Sequence, residues 1–253
     1  MNPEPIGLDA RLAVSEVFGP TIQGEGKNLG RPVMFLRLMG CNQHCVWCDT
    51  PWTWRFSEQW PHEGGKVFSA KEETKIRTAS ELLDALEFWP NRGLTRSLVL
   101  SGGEPMLQQD QLQPLTEALR IRGWWVEMET AGTVVPMHES LVAQYTVSPK
   151  LSNSGNAEAL RHNKAALRKF AALSEEGKAV FKFVCADMRD MQEADAIVRE
   201  YEINELNVYV MPLGITQDAL NIHTHEIVEA AMRRGYNITT RLHITLYGNR
   251  RGV

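Results

Sequence analysis

Three of the four cysteines in this 253-residue chain fall within eight positions, Cys41, Cys45 and Cys48, inside the stretch Gly40–Thr50. Thiolates packed this densely repel one another and oxidise readily, and they are tolerated when a metal centre takes up the charge. The spacing is C-x3-C-x2-C with Trp47 just before the last cysteine. Three ligands in one short loop can hold three irons of a 4Fe–4S cube and leave the fourth iron without a protein ligand, the mark of a catalytic centre. A zinc knuckle completed by His44, His62 or the distant Cys185 is the plain alternative. Zinc sites usually show two C-x2-C-like pairs, whereas here there is one triple and no second pair.

The loop follows Pro32–Met39, a strongly apolar run that reads as a strand with Arg37 as its only charge. The cysteines therefore sit at a strand's C-terminal end, the functional end of barrels and open α/β sheets. An arginine within such a strand needs a carboxylate or phosphate partner. It serves either as a structural ion pair or as the anchor of an anionic substrate.

Elsewhere strands and helices alternate. Leu12–Phe18 reads as a short strand running into the glycine-rich loop Gly19–Gly26, where Gln23 and Glu25 can hydrogen-bond a polar heterocycle. Further strands are expected at Ser97–Leu100, Trp124–Glu129, from Tyr145, at Ala179–Val184 with a lone internal Lys182, at Asn207–Val210, and at Ile238–Thr245 with Arg241 and His243. Helices are expected at Thr78–Trp89, around Leu112–Leu119, at Asn163–Leu173, at Asp190–Tyr201 and at Ala219–Arg234. Thr78 and Ser80 are candidate caps of the first. Pro51–Arg77, rich in tryptophan, breaks the pattern and reads as an inserted subelement suited to a lid or a dimer contact. The order argues for a parallel sheet in one domain over 1–253. It predicts an incomplete TIM-type β/α barrel of about six parallel strands with outer helices.

Composition narrows the function classes. Apolar residues at 43% and charged residues at 23% are ordinary globular values. A net charge of −4 gives no electrostatic case for nucleic-acid binding. No 18-residue apolar run suggests a membrane span, and Met1–Pro5 lacks the pattern of a secretory signal. Clustered cysteines suit a reducing cytoplasm, and Cys185 reads as a small buried hydrophobe.

The loop C-x3-C-x-aromatic-C resembles the cluster motif of radical S-adenosylmethionine enzymes, and Ser101-Gly-Gly-Glu-Pro105 resembles their second motif, with Glu104 accepting from the methionine ammonium. Taken with Thr21–Gly26, Cys48-Asp-Thr50, Glu129-Thr-Ala-Gly132, Ser148-Pro-Lys150 and Arg241-Leu-His243, the whole chain is similar to the 7-carboxy-7-deazaguanine synthase family. The resemblance implies a lyase that converts 6-carboxy-5,6,7,8-tetrahydropterin to 7-carboxy-7-deazaguanine with loss of ammonia, feeding queuosine and other 7-deazapurines. It implies a 4Fe–4S cluster on Cys41, Cys45 and Cys48, whose reduction lets S-adenosylmethionine yield a 5′-deoxyadenosyl radical that takes hydrogen from C6 of the pterin.

By the same resemblance, S-adenosylmethionine is held by Trp47, Asp49, Gly103, Glu104, Ser148, Pro149, Lys150, Met211, Pro212, Leu213 and Gly214. The pterin is held by Ile22, Gln23, Gly24, Glu25, Arg37, Ser101 and His243, and Mg2+ by Thr50 with substrate oxygens. A homodimer and a flavodoxin-like one-electron donor are further family expectations. Two positions depart from the family pattern: Ala131 stands where a side-chain hydrogen bond is usual, and Met211 where a glutamine is usual. The tail Leu246–Val253 is longer than the family's, which puts a C-terminal carboxylate contact at Val253 in question. A glycyl-radical activase would share the cluster and Gly-Gly-Glu-Pro motifs but not the combination of Gln23, Arg37 and Thr50. A non-catalytic zinc-binding interaction module would need neither.

Overall fold

A computed structural model of the chain describes residues 7–88 and 95–253. Strands β1 (Arg11–Ile22) and β2 (Pro32–Leu38) form an antiparallel pair, with Val17 opposite Leu36, and β3 (Lys75–Thr78) adds antiparallel to the free edge of β1. From β2 onward every neighbour is parallel: β4 (Ser97–Gly102), β5 (Trp125–Thr130), β6 (Gln144–Val147), β7 (Ala179–Cys185), β8 (Val208–Pro212) and the two-residue β9 (Asn237–Ile238). The sheet order is β3-β1-β2-β4-β5-β6-β7-β8-β9, an open sheet of nine strands. The expected partial barrel is there, with an antiparallel flap at one edge.

A two-residue period decides which side chains face helices and which face the interior. On β2, Met34, Leu36 and Leu38 enter the main core, while Phe35 and Arg37 point the other way. On β5, Val126 and Met128 enter that core and Glu127 and Glu129 alternate with them. On β7, Phe181, Phe183 and Cys185 are fully buried in the core, and Lys182 and Val184 face the inner side. Each fully buried Leu or Phe stabilises the fold by roughly 1.5–3 kcal/mol. Cys185 is one of these buried apolar groups, as expected.

The helices are α1 (Ala70–Glu73), α2 (Ala79–Glu87), α3 (Gln109–Ile121), α4 (Glu158–Arg161), α5 (Lys164–Glu175), α6 (Met188–Glu200), α7 (Gln217–Arg234) and α8 (Leu242–Tyr247). Apolar stripes cover the core face of the sheet: Leu82, Leu83 and Leu86 of α2, Leu112, Leu115 and Leu119 of α3, and Ile227 and Ala231 of α7. Thr78 starts α2 in a reciprocal capping box with Glu81. Asn163, Asp187 and Thr216 cap α5, α6 and α7, and Gly235 at φ 73° ends α7. The expected continuation of α2 to Trp89 lies outside the described residues. None of the described helices is long and apolar enough to cross a membrane.

Two expectations are corrected. The first strand does not stop at Phe18 but runs on to Ile22, because its pairing with β2 resumes at Thr21 and Ile22 after an irregularity. The expected strand Ile238–Thr245 is only the pair Asn237–Ile238, followed by α8. Its alternation of Ile238, Leu242 and Ile244 with polar residues mimics a strand. Arg241 instead turns inward to the carboxylates of Glu25 and Asp49, and the Leu242 N–H donates to Gly24 O at 2.8 Å.

Candidate active site

The C-terminal ends of the parallel strands open into one cavity of about 390 Å³, lined from the cysteine loop, the Gly19–Gly26 segment and the last residues of the chain. Its cysteine end is built by β2 and β4. Gly102 and Gly103 lie so close to the chain leaving β2 that a Cβ would stand 2.3 Å from Leu38 O or 2.0 Å from Gly40 O. The Gly103 and Glu104 N–H groups donate to Leu38 O and Gly40 O across this contact. The glycine pair therefore sets the cysteine loop against β4.

Cys41, Cys45 and Cys48 all line the cavity. Each sulfur accepts one N–H hydrogen bond: from the Gln43 main chain, the Asn156 carboxamide and the Trp54 indole respectively. Burial pushes all three thiols up, Cys48 to about 11 with the Asp49 charge adding to it. Negative charge here needs a partner, and a metal centre that displaces the thiol protons supplies one. Among the described residues no three His, Cys, Asp or Glu side chains converge on a single-ion site. His62 is committed to Cys48 O at 2.8 Å, and the His44 ring stacks on Trp60 with centroids 4.0 Å apart. Three sulfurs spread round one cavity wall fit a four-iron cube, which distributes its thiolates over separate irons.

The segment 51–77 folds back over this loop. Buried Arg55 donates to the carbonyls of Trp60, Gly65 and Lys66, and the Glu63 N–H donates to Val46 O. Trp52, Trp54 and Glu63 reach the cavity lining.

Of the residues expected to hold S-adenosylmethionine, Trp47, Asp49, Gly103, Ser148, Lys150, Met211, Pro212, Leu213 and Gly214 line the cavity. Lys150 Nζ donates to Ser148 O at 2.8 Å and to its Oγ at 3.1 Å. Pro149 and Glu104 stand outside the lining. Glu104 is fully buried and its carboxylate accepts from the Met106 and Ala131 N–H groups and the Thr130 hydroxyl, at 2.7–3.0 Å. It ties the end of β4 to the end of β5. Thr50 lines the cavity, its hydroxyl 3.6 Å from Cys48 Sγ.

Ile22, Gln23, Gly24, Glu25, Arg37, Ser101 and His243 all line the same cavity. Gln23 Nε2 donates to Glu129 Oε1 at 3.0 Å, and Ser101 Oγ to Glu129 Oε2 at 2.8 Å. Gly24 packs on His243, where a Cβ would fall 2.0 Å from its Nδ1. Burial lowers His243 despite the neighbouring Glu25, so the ring is neutral near pH 7. Arg37 Nε is held by Glu16 Oε1 at 2.8 Å, and Arg251 holds the other oxygen of Glu16 at 2.9 Å. The chain end from Asn249 to Val253 forms part of the wall, so the long tail reaches the site.

Sequence reasoning gave no site role to Lys182 and Arg241, which line the same cavity. Glu25 is bonded to Lys182 at 2.5 Å and to Arg241 at 2.8 Å, and Arg241 also pairs with Asp49 and donates to Gly214 O. Burial alone would raise the Glu25 carboxyl; Lys182, Arg241 and His243 outweigh it and hold it far below its ordinary range. Arg241 thus links the Gly19–Gly26 segment, the cysteine loop and the Met211–Gly214 turn. Lys182, like Arg37, is a charge inside an apolar strand, and that is the sequence signal for its buried partner. Glu127, beside Glu129, is pushed up to about 7 by burial and by Glu129, with Thr146 and Gln23 opposing.

Comparison with known proteins agrees with this geometry. The family model of the Radical SAM superfamily matches residues 37–151. The chain is 36% identical to the 7-carboxy-7-deazaguanine synthase of Pyrobaculum aerophilum, over 96% of this chain and 97% of that protein. It is 32% identical to that of Rhodopirellula baltica, over 97% and 90%. The crystal structure of QueE from Escherichia coli superposes with a TM-score of 0.69 at 26% identity, covering 92% of this chain and 95% of that one. A cysteine triple at the open end of a partial barrel and full-length similarity lead to one conclusion: the chain belongs to the 7-carboxy-7-deazaguanine synthase family of radical S-adenosylmethionine enzymes.

Proposed function

We propose that this chain converts 6-carboxy-5,6,7,8-tetrahydropterin to 7-carboxy-7-deazaguanine and ammonia, a step in 7-deazapurine biosynthesis. The observation that carries the reading is a single cavity shared by the three cysteines and by Gln23, Arg37, Ser101 and His243. When bound, the cluster and S-adenosylmethionine supply one-electron cleavage of the sulfonium and the radical that takes hydrogen from the pterin.

The protein's own residues bind, orient and exclude water. Arg37, already steered by Glu16, meets the pterin carboxylate through its remaining guanidinium donors. Glu129 and Gln23 present acceptor and donor to the aminopyrimidinone edge. Neutral His243 offers one donor and one acceptor without adding charge. Lys150 and Ser148 face the methionine carboxylate, and the Met211–Gly214 turn contacts the adenosyl part. Thr50 gives Mg2+ one hydroxyl, the rest of the shell coming from water and the substrate. A flavodoxin-like one-electron donor and a homodimeric assembly complete the proposal.

The test is anaerobic incubation of the reconstituted protein with S-adenosylmethionine, reductant, Mg2+ and the carboxypterin, with products read by mass spectrometry. The deazaguanine acid and ammonia in equal amounts are expected. Cleavage of S-adenosylmethionine with the pterin recovered intact would overturn the assignment.

A further inference from the structure

The hydrogen bonds to the three cysteine sulfurs differ in origin. The bond to Cys41 comes from a main-chain N–H two residues on, at 3.4 Å, and belongs to the loop itself. The other two come from side chains outside the loop. Trp54 Nε1 reaches Cys48 Sγ at 3.3 Å, and Asn156 Nδ2 reaches Cys45 Sγ at 3.3 Å. Both donors are buried, Trp54 at 7% exposure and Asn156 at 9%.

Neither side chain is free to point elsewhere. The Trp54 ring meets His44 edge-on at 5.1 Å and His62 at 6.2 Å, and His62 is itself fixed to Cys48 O. Asn156 Oδ1 accepts from the His44 N–H at 2.8 Å. That bond fixes which end of the amide carries the donors, and so turns its NH2 toward Cys45. Arg161 Nε in turn donates to Asn156 O at 3.0 Å. One donor thus arrives from the inserted segment 51–77 and the other from the loop after β6.

We propose that Trp54 and Asn156 are positioning residues that set the reduction potential of the cluster by donating N–H groups to Cys48 and Cys45. An electron added to a thiolate-bound cluster increases the negative charge on its sulfurs. N–H donors in a buried site favour that reduced state, and hydrogen bonds to sulfur are a known lever on such potentials. The inserted segment is then more than a cover, since it carries one of the two side-chain donors. The inference rests on the proposed function only in requiring that the chain bind a 4Fe–4S cluster.

The experiment is an anaerobic redox titration of reconstituted protein, monitored by electron paramagnetic resonance, with iron and sulfide content matched between variants. Trp54→Phe keeps an aromatic ring against His44 and His62 but removes the donor. Asn156→Leu removes the donor at similar volume without adding a charge beside the sulfur. Each is expected to disfavour reduction by about tenfold, a downward shift of about 59 mV for a one-electron couple. Trp60→Phe, which preserves the stack on His44 and sends no donor to sulfur, is expected to leave the potential in place. An unmoved potential in both donor variants, or an equal fall in Trp60→Phe, overturns the inference. Should a donor variant fail to take up cluster, protein with 15N-labelled tryptophan gives the answer without substitution. The reduced cluster should show nitrogen coupling from the indole, and its absence overturns the role of Trp54. A wild-type chain that binds no cluster would overturn the functional reading as well, so the two failures are distinguishable.

Discussion

Lys182→Met isolates the charge network along the cavity wall. In the folded chain Glu25 and Asp49 are balanced by Lys182 and Arg241, two negative groups against two positive. Lys182 is 6% exposed and Glu25 is largely buried, so removing the lysine leaves the Glu25 carboxylate relying on Arg241, a guanidinium it shares with the more exposed Asp49. Breaking a buried pair from one side costs about 3–5 kcal/mol, and the remaining Arg241 bond to Glu25 places this variant near the lower figure. At 2–4 °C per kcal/mol for chains of this size, the melting temperature should fall by about 6–12 °C. The assay is thermal unfolding followed by far-ultraviolet circular dichroism, anaerobically and at matched cluster content.

The pH dependence carries a second signature. In the native protein Glu25 sits far below its ordinary 4.5, so its stabilisation is complete above that value and is lost only as pH falls toward the folded pKa. Without Lys182 the carboxyl rises, the folded chain binds a proton more tightly, and protonation relieves the excess charge. The deficit should therefore narrow as pH falls below 4.5, where native loses the Glu25 contribution and the variant has less of it to lose. A melting temperature within about 2 °C of native at pH 7, or a deficit that does not narrow below pH 4.5, would refute the reasoning.

Arg37→Lys replaces a planar fork by a point charge; it should raise the KM for the carboxypterin on the order of tenfold or more, with S-adenosylmethionine binding unchanged by calorimetry. Glu127→Gln should gain stability over native as pH rises from 5 to 8, by on the order of 1–3 kcal/mol in urea unfolding. The reason is that a carboxyl raised from 4.5 to about 7 in the fold lowers stability as pH climbs between those values. Gly103→Ala puts a Cβ 2.0 Å from Gly40 O and should displace the cysteine loop, seen as iron content well below native after reconstitution.

How far these features were legible in the sequence depended on the range of the interactions that fix them. The parallel strands were readable because Val, Leu and Phe runs at β2, β4 and β7 bury one or both faces, and the cysteine spacing is local. The region after Ile238 was misread because its alternation of apolar and polar residues is strand-like. Arg241 instead seeks Glu25 and Asp49, partners 216 and 192 positions away. The ties that Glu104 makes across the sheet are not legible from the two glycines that precede it. Its actual partners on β5 and just beyond, Thr130 and Ala131, become neighbours only when the sheet closes. Trp54 and Asn156 carry no sequence signal at all, since a tryptophan among seven and a loop asparagine show nothing of the sulfur each will face.

The most direct measurement is the electron paramagnetic resonance spectrum of the anaerobically reconstituted, reduced protein before and after adding S-adenosylmethionine. An iron corner left open by Cys41, Cys45 and Cys48 predicts a four-iron signal whose g-values change when the cofactor is added. A colourless protein holding one zinc, or a cluster signal indifferent to S-adenosylmethionine, would contradict it.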